Sequence, residues 1–85
     1  MIIDLDTVAT FTYSFGNTFL LETRHGNFVW SDPEYLGGDN TIKPFDGSYK
    51  EWCDLEGIPY GRCKGEHTIR SYCGENVKFV EDRSY

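Results

Sequence analysis

Cysteines stand at positions 53, 63 and 73, ten residues apart each time, and His67 falls between the last two. Thiolates and imidazole are the ligands of structural zinc, and a cysteine beside a histidine can also serve as a nucleophile with its base. The spacing C-x9-C-x3-H-x5-C lacks the tight C-x2–4-C knuckle from which structural zinc sites usually draw a pair of ligands. Cys63 and His67 are near each other, but in a short basic stretch with no glycine-rich oxyanion signature. The third reading makes Cys53 and Cys73 small core residues, because unpaired cysteine is among the most buried residue types, and Cys63 a loop thiol. That reading leads to an expectation of no metal, no cofactor and no catalytic residue.

Two other groups have the chemistry of binding. Asp32, Glu34, Asp39 and Asp46 fall in the loop-rich middle of the chain, where a fixed array of carboxylates could mimic phosphates or meet a basic cleft on a nuclease. Arg62, Lys64 and Arg70 flank Tyr60 and Tyr72. Cations interleaved with aromatic rings can contact phosphate and stack on bases, so these five residues form a candidate RNA surface. The plainer reading of both groups is solvated surface, and for the four acids it is the stronger one. No P-loop, G-x-S-x-G or H-E-x-x-H pattern occurs.

Charge is divided unevenly among these groups. The chain carries 14 acidic and 8 basic side chains, a formal charge of −6. Residues 1–57 hold ten acids and three bases, whereas residues 58–80 hold four bases and two acids. Such a chain, taken whole, is repelled by phosphate backbones and anionic membranes. "MIIDLDTV" has acids where a signal peptide needs positive charge, and no run approaches the roughly 20 apolar residues of a membrane span. With an odd cysteine count as well, the expected compartment is the cytoplasm.

The elements that must position these residues follow from periodicity. Thr7–Phe15 alternates Ala9, Phe11 and Tyr13 against Thr10, Thr12 and Ser14, as a half-buried strand does. Thr18–Arg24 and Asn27–Ser31 continue a β-meander. A three-residue loop, Phe15-Gly16-Asn17, aligns Phe11 and Tyr13 with Phe19, Leu21, Phe28 and Trp30; a two-residue loop would align them with Glu22. "SDPEYLGG" (31–38) suits one helical turn, and "DNTIKPFDG" a surface loop with a short strand around Ile42. Ser48–Glu56 is the clearest helix, with a Ser48/Glu51 capping box, a Tyr49/Trp52/Cys53 apolar face, and Gly57-Ile58 to close it before Pro59. Thr68–Cys73 and Val77–Glu81 read as a closing hairpin. The predicted fold is a single α+β domain over residues 1–85, with a mostly antiparallel sheet of about five strands and a short tail at 82–85.

Size, acidity and the aromatic-rich run from "FTYSFGNTF" to "EWCDLEGIPYGRCKG" resemble the small accessory proteins of tailed bacteriophages. Several of those bind and block a host defence component such as a CRISPR effector, a restriction system or a toxin ribonuclease. The resemblance implies a non-catalytic inhibitory or regulatory protein acting on a host protein, and assigns no site residues; the acidic patch points to a basic surface on that partner. The alternative is a small RNA-binding module built on residues 60–72, and the third a metal- or thiol-dependent enzyme.

Overall fold

Alternation of side chains builds the first part of the molecule, for which a computed structural model describes residues 2–34 and 37–81. Strands β1 (Val8–Tyr13), β2 (Thr18–Thr23) and β3 (Gly26–Ser31) form an antiparallel meander. Phe11 pairs with Leu21, Tyr13 with Phe19, Phe19 with Trp30 and Leu21 with Phe28. The first loop is therefore the three-residue one that burial parity requires, closed by the Ser14 N–H on the Thr18 carbonyl at 3.0 Å. Residues 41–45, expected as loop with a short strand, form a full strand β4 (Thr41–Phe45) on β3. Of the turn expected over 31–38, Tyr35 and Leu36 lie outside the described residues, as does the tail at 82–85. The described part is a turn at Pro33-Glu34, where the Glu34 N–H donates to Asp32 Oδ1.

Helix α1 (Tyr49–Glu56) forms with the expected caps. The Glu51 N–H donates to Ser48 Oγ and the Ser48 N–H to Glu51 Oε1. Gly57 takes the left-handed conformation (φ 69°), and the Ile58 N–H returns to the Cys53 carbonyl. This closing pattern presses Ile58 onto the last turn.

The C-terminal hairpin does not form. Its first arm is helix α2 (Ile69–Cys73), preceded by strand β5 (Cys63–Thr68), and its second arm is the two-residue strand β6 (Lys78–Phe79). Capping overrides alternation here. Thr68 Oγ1 accepts the Ser71 N–H, and the free Ile69 and Arg70 N–H groups donate to the Thr7 and Leu5 carbonyls. Ile69, Tyr72 and Cys73, at i, i+3 and i+4, then face one apolar surface. The sheet order is β5-β1-β2-β3-β4-β6, antiparallel except for the β4–β6 pair. The α+β class and the mostly antiparallel sheet stand; the sheet has six strands, and a second helix joins the first.

The two faces of the sheet carry separate cores. On one, Ala9, Phe11, Phe19, Leu21, Phe28, Trp30 and Ile42 pack against Ile3, α2 and Val77. On the other, Leu20, Val29 and Phe45 pack under Trp52, Cys53 and Ile58. No helix among the described residues is long and apolar enough to cross a membrane.

Thr12 lies on the second face, fully buried, and its hydroxyl has no hydrogen-bond partner among the described residues. A buried unsatisfied hydroxyl costs about 1–3 kcal/mol. Thr12→Val, which keeps the shape and removes the hydroxyl, is expected to stabilise the fold by about 1 kcal/mol, read as a higher urea midpoint at constant m-value.

Candidate functional site

The cysteines do not meet. Cys53 belongs to the core under α1, Cys73 packs against the core on the opposite face, and Cys63 is exposed at the start of β5, so it is a strand thiol rather than a loop thiol. All three are free thiols, and no group of three metal-ligating side chains occurs among the described residues. Burial, aided by the charge of Asp32, pushes the Cys73 thiol up to about 12. Burial also raises Cys53. Nor are Cys63 and His67 joined as a nucleophile and base. The sulfur of Cys63 accepts the Gly65 N–H, while His67 Nε2 lies 2.9 Å from the Lys64 carbonyl and so carries its proton.

Four of the nine residues singled out for binding come together. Asp32, Glu34, Lys64 and Tyr72 line one cleft of about 520 Å³, with Tyr13, Phe19 and Trp30 among its walls. Each arrives by a different route. Tyr13, Phe19 and Trp30 stand in cross-strand register on one face of the sheet. Tyr72 comes from α2, 4.3 Å from Phe11 between ring centres and stacked on it. Asp32 follows β3, its N–H held by the Asn17 carbonyl at 2.7 Å.

Lys64 arrives through a bulge. Thr10 pairs with Glu66 but Thr12 with Cys63, so β5 has one residue more than β1 over this span. The extra residue accompanies Gly65 at φ 87°, a left-handed conformation that favours glycine. An unbroken ladder would set Lys64 opposite Thr12, on the α1 face. With the bulge, Lys64 Nζ lies 4.5 Å from the centre of the Tyr13 ring.

Beside the cleft is an exposed aromatic. Phe15, 69% exposed at the β1–β2 turn, stacks on the Arg62 guanidinium at 4.2 Å, and the same guanidinium lies 4.0 Å from Tyr13. Two hydrogen bonds fix Arg62, from Nε to the Tyr13 carbonyl and from an Nη to the Ser14 carbonyl. Sequence reasoning passed over Phe15, although a large apolar ring in a three-residue turn is a signal of exposure. It also took Tyr13, Phe19 and Trp30 as core alone.

The other candidates are elsewhere. Asp39 accepts the Thr41 hydroxyl at 2.7 Å, which lowers its pKa, in a depression with Val29 and Lys43. Asp46 lines a third depression with His25 and Phe28. The Tyr60 hydroxyl donates to Asp54 beside Tyr49 of α1. Arg70 bridges Asp6 at 3.2 Å and Glu75 at 2.6 Å. The chain finds no significant match among protein-family models, curated proteins or solved structures.

Proposed function

We propose that this chain is a non-catalytic inhibitory or regulatory binding protein that docks onto a basic protein surface through the cleft and its Phe15 rim. The proposal extends to the class that phages direct against host nucleases and toxin ribonucleases, acting in the bacterial cytoplasm. One observation carries the docking reading: an exposed aromatic ring is already held in place beside a carboxylate-bearing cleft. Ordering a free side chain at an interface costs about 0.5–1.5 kcal/mol, and a ring stacked on a fixed guanidinium avoids much of that cost. Aromatic side chains, phenylalanine included, and arginine are also enriched at interfaces over the rest of the surface. The charge of −6 steers the encounter towards a basic partner.

The RNA alternative draws less from the geometry. Arg70 is engaged by two carboxylates, Arg62 by two backbone carbonyls, and Tyr60 sits by α1 away from Tyr72. The test is capture from a bacterial lysate, with and without nuclease treatment, comparing the protein with Phe15→Ala. A basic protein should be retained after nuclease treatment. Phe15→Ala should weaken its retention about 30-fold, as loss of an interface centre worth roughly 2 kcal/mol does, with stability changed by less than about 0.5 kcal/mol. Retention that disappears with nuclease treatment, or is indifferent to Phe15, defeats the reading.

A further inference from the structure

We propose that the cleft between the β1–β2 turn, Asp32 and α2 receives one arginine side chain of the partner protein. This deepens the docking reading and rests on it. The argument begins with Asp32, which is only 6% exposed. One carboxylate oxygen accepts the Glu34 N–H at 2.9 Å; the other has no partner among the described residues, and no lysine or arginine there reaches ion-pair distance. A carboxylate oxygen left without a partner on the wall of a cleft is stabilised by an incoming cation that also donates hydrogen bonds.

The walls narrow the choice of cation. Tyr13, Trp30 and Tyr72 supply aromatic surfaces around the same cleft. A guanidinium is planar, stacks on such rings and is weakly hydrated, so it can lie against a ring while donating to a carboxylate. Ammonium is compact, more strongly hydrated and unable to stack. Phosphate would meet Asp32 and the exposed Glu34 with like charge. A neutral base would leave the Asp32 charge unanswered.

Lys64 then acquires a role. It lines the cleft from the bulged strand with its ammonium over Tyr13, and forms no ion pair with Asp32 or Glu34. An exposed cation–ring contact is weak, so Lys64 is easily displaced. It is a built-in competitor for the cation site. Its removal should favour an arginine and disfavour a phosphate.

The probes are acetylated, amidated Gly-Arg-Gly, its citrulline and lysine counterparts, and adenosine monophosphate, each titrated into the nitrogen-15-labelled full chain. The two indole N–H resonances report separately. Trp30, whose Nε1 donates to Asn40 Oδ1 at 3.0 Å, lines the cleft, and Trp52 lies in the opposite core as an internal reference. The arginine peptide should shift the Trp30 resonance saturably and leave Trp52 still. The citrulline and lysine peptides should bind at least tenfold more weakly. Asp32→Asn, which keeps an oxygen for the Glu34 N–H, should lose at least tenfold in arginine-peptide affinity with Trp52 unmoved. Lys64→Ala should gain about threefold or more.

Equal binding of the citrulline peptide or the nucleotide, an indifferent Asp32→Asn, or weaker binding by Lys64→Ala each overturns the proposal. The two readings fail separately. A silent Trp30 resonance, with capture still lost in Phe15→Ala, removes the arginine site and leaves the docking surface. Capture indifferent to Phe15 removes the docking surface.

Discussion

Trp52→Ala lowers stability by about 3–5 kcal/mol, the largest single effect expected in this chain. The ring is fully buried in the core between α1 and the sheet, with Leu20, Val29, Phe45, Cys53 and Ile58 in the same cluster. That cluster is small. Contraction of the sheet onto the vacated volume is opposed by the strand pairings on either side of Leu20 and Val29. At 0.05–0.15 kcal/mol per residue, a chain of this length has a total of roughly 4–13 kcal/mol, so the substitution removes a large part of it. The indole N–H has no partner among the described residues, so Trp52→Phe forfeits volume but no hydrogen bond. It should cost clearly less than the alanine change. Urea unfolding checks both, and an ordinary midpoint for Trp52→Ala would show that α1 is not seated by this ring.

Gly38→Ala comes next, and acts on the cleft as well as the fold. A Cβ at this position would fall on the Asp32 carbonyl group and 2.9 Å from the Pro33 Cα, all of it backbone. No rotamer change relieves such a clash. The Asp32–Pro33 segment must be displaced. Over-packing costs about 1–3 kcal/mol where side chains can yield, and a backbone obstacle places this substitution at or above the top of that range. Displacing the segment also disturbs the Asp32 N–H bond to the Asn17 carbonyl, which ties the β1–β2 turn to the end of β3. The expected result is a melting point lower by about 10 °C or more, with the Trp30 indole resonance displaced in the absence of any ligand. A normal melt with an unmoved Trp30 would mean that residues 32–33 are not packed against Gly38.

The sequence made the meander and α1 legible because both carry two independent signals. In the meander, burial parity and turn residues agree on where Phe11, Phe19 and Trp30 must point. In α1, the Ser48/Glu51 box agrees with the Trp52/Cys53 face and the Gly57-Ile58 stop. In Thr68–Cys73 the signals conflict, since Ile69, Ser71 and Cys73 alternate like a strand while Thr68 and Ser71 cap like a helix. The capping won because Leu5 and Thr7 offered carbonyls to the helix start, a contact between residues more than sixty positions apart.

β5 was illegible for another reason. As an edge strand exposed along most of its length, it has no apolar face to alternate. The cleft suffered from both problems. Asp32, Glu34, Lys64 and Tyr72 were visible as chemistry, but their meeting depends on the Gly65 bulge and on Tyr72 riding a helix. Asp39, Asp46, Tyr60 and Arg70 shared that chemistry, and the same topology scattered them.

The anchoring of α2 on Leu5 and Thr7 also bears on the order in which the chain can fold as it is synthesised. The meander, β4 and α1 are complete once residue 58 has emerged, and they supply the Trp52 core by themselves. The opposite face, with Phe11, Phe19, Phe28 and Trp30, waits for Ile69 and Val77 to cover it. The residues made first are thus tied down last, and β6 pairs with β4 only when Lys78 and Phe79 are free. Until then the nascent protein presents a sheet of aromatic side chains on one side and a finished core on the other. A nascent chain held with only its first 58 to 68 residues clear of the ribosome would present a sticky half-domain, the kind of surface that chaperones recognise.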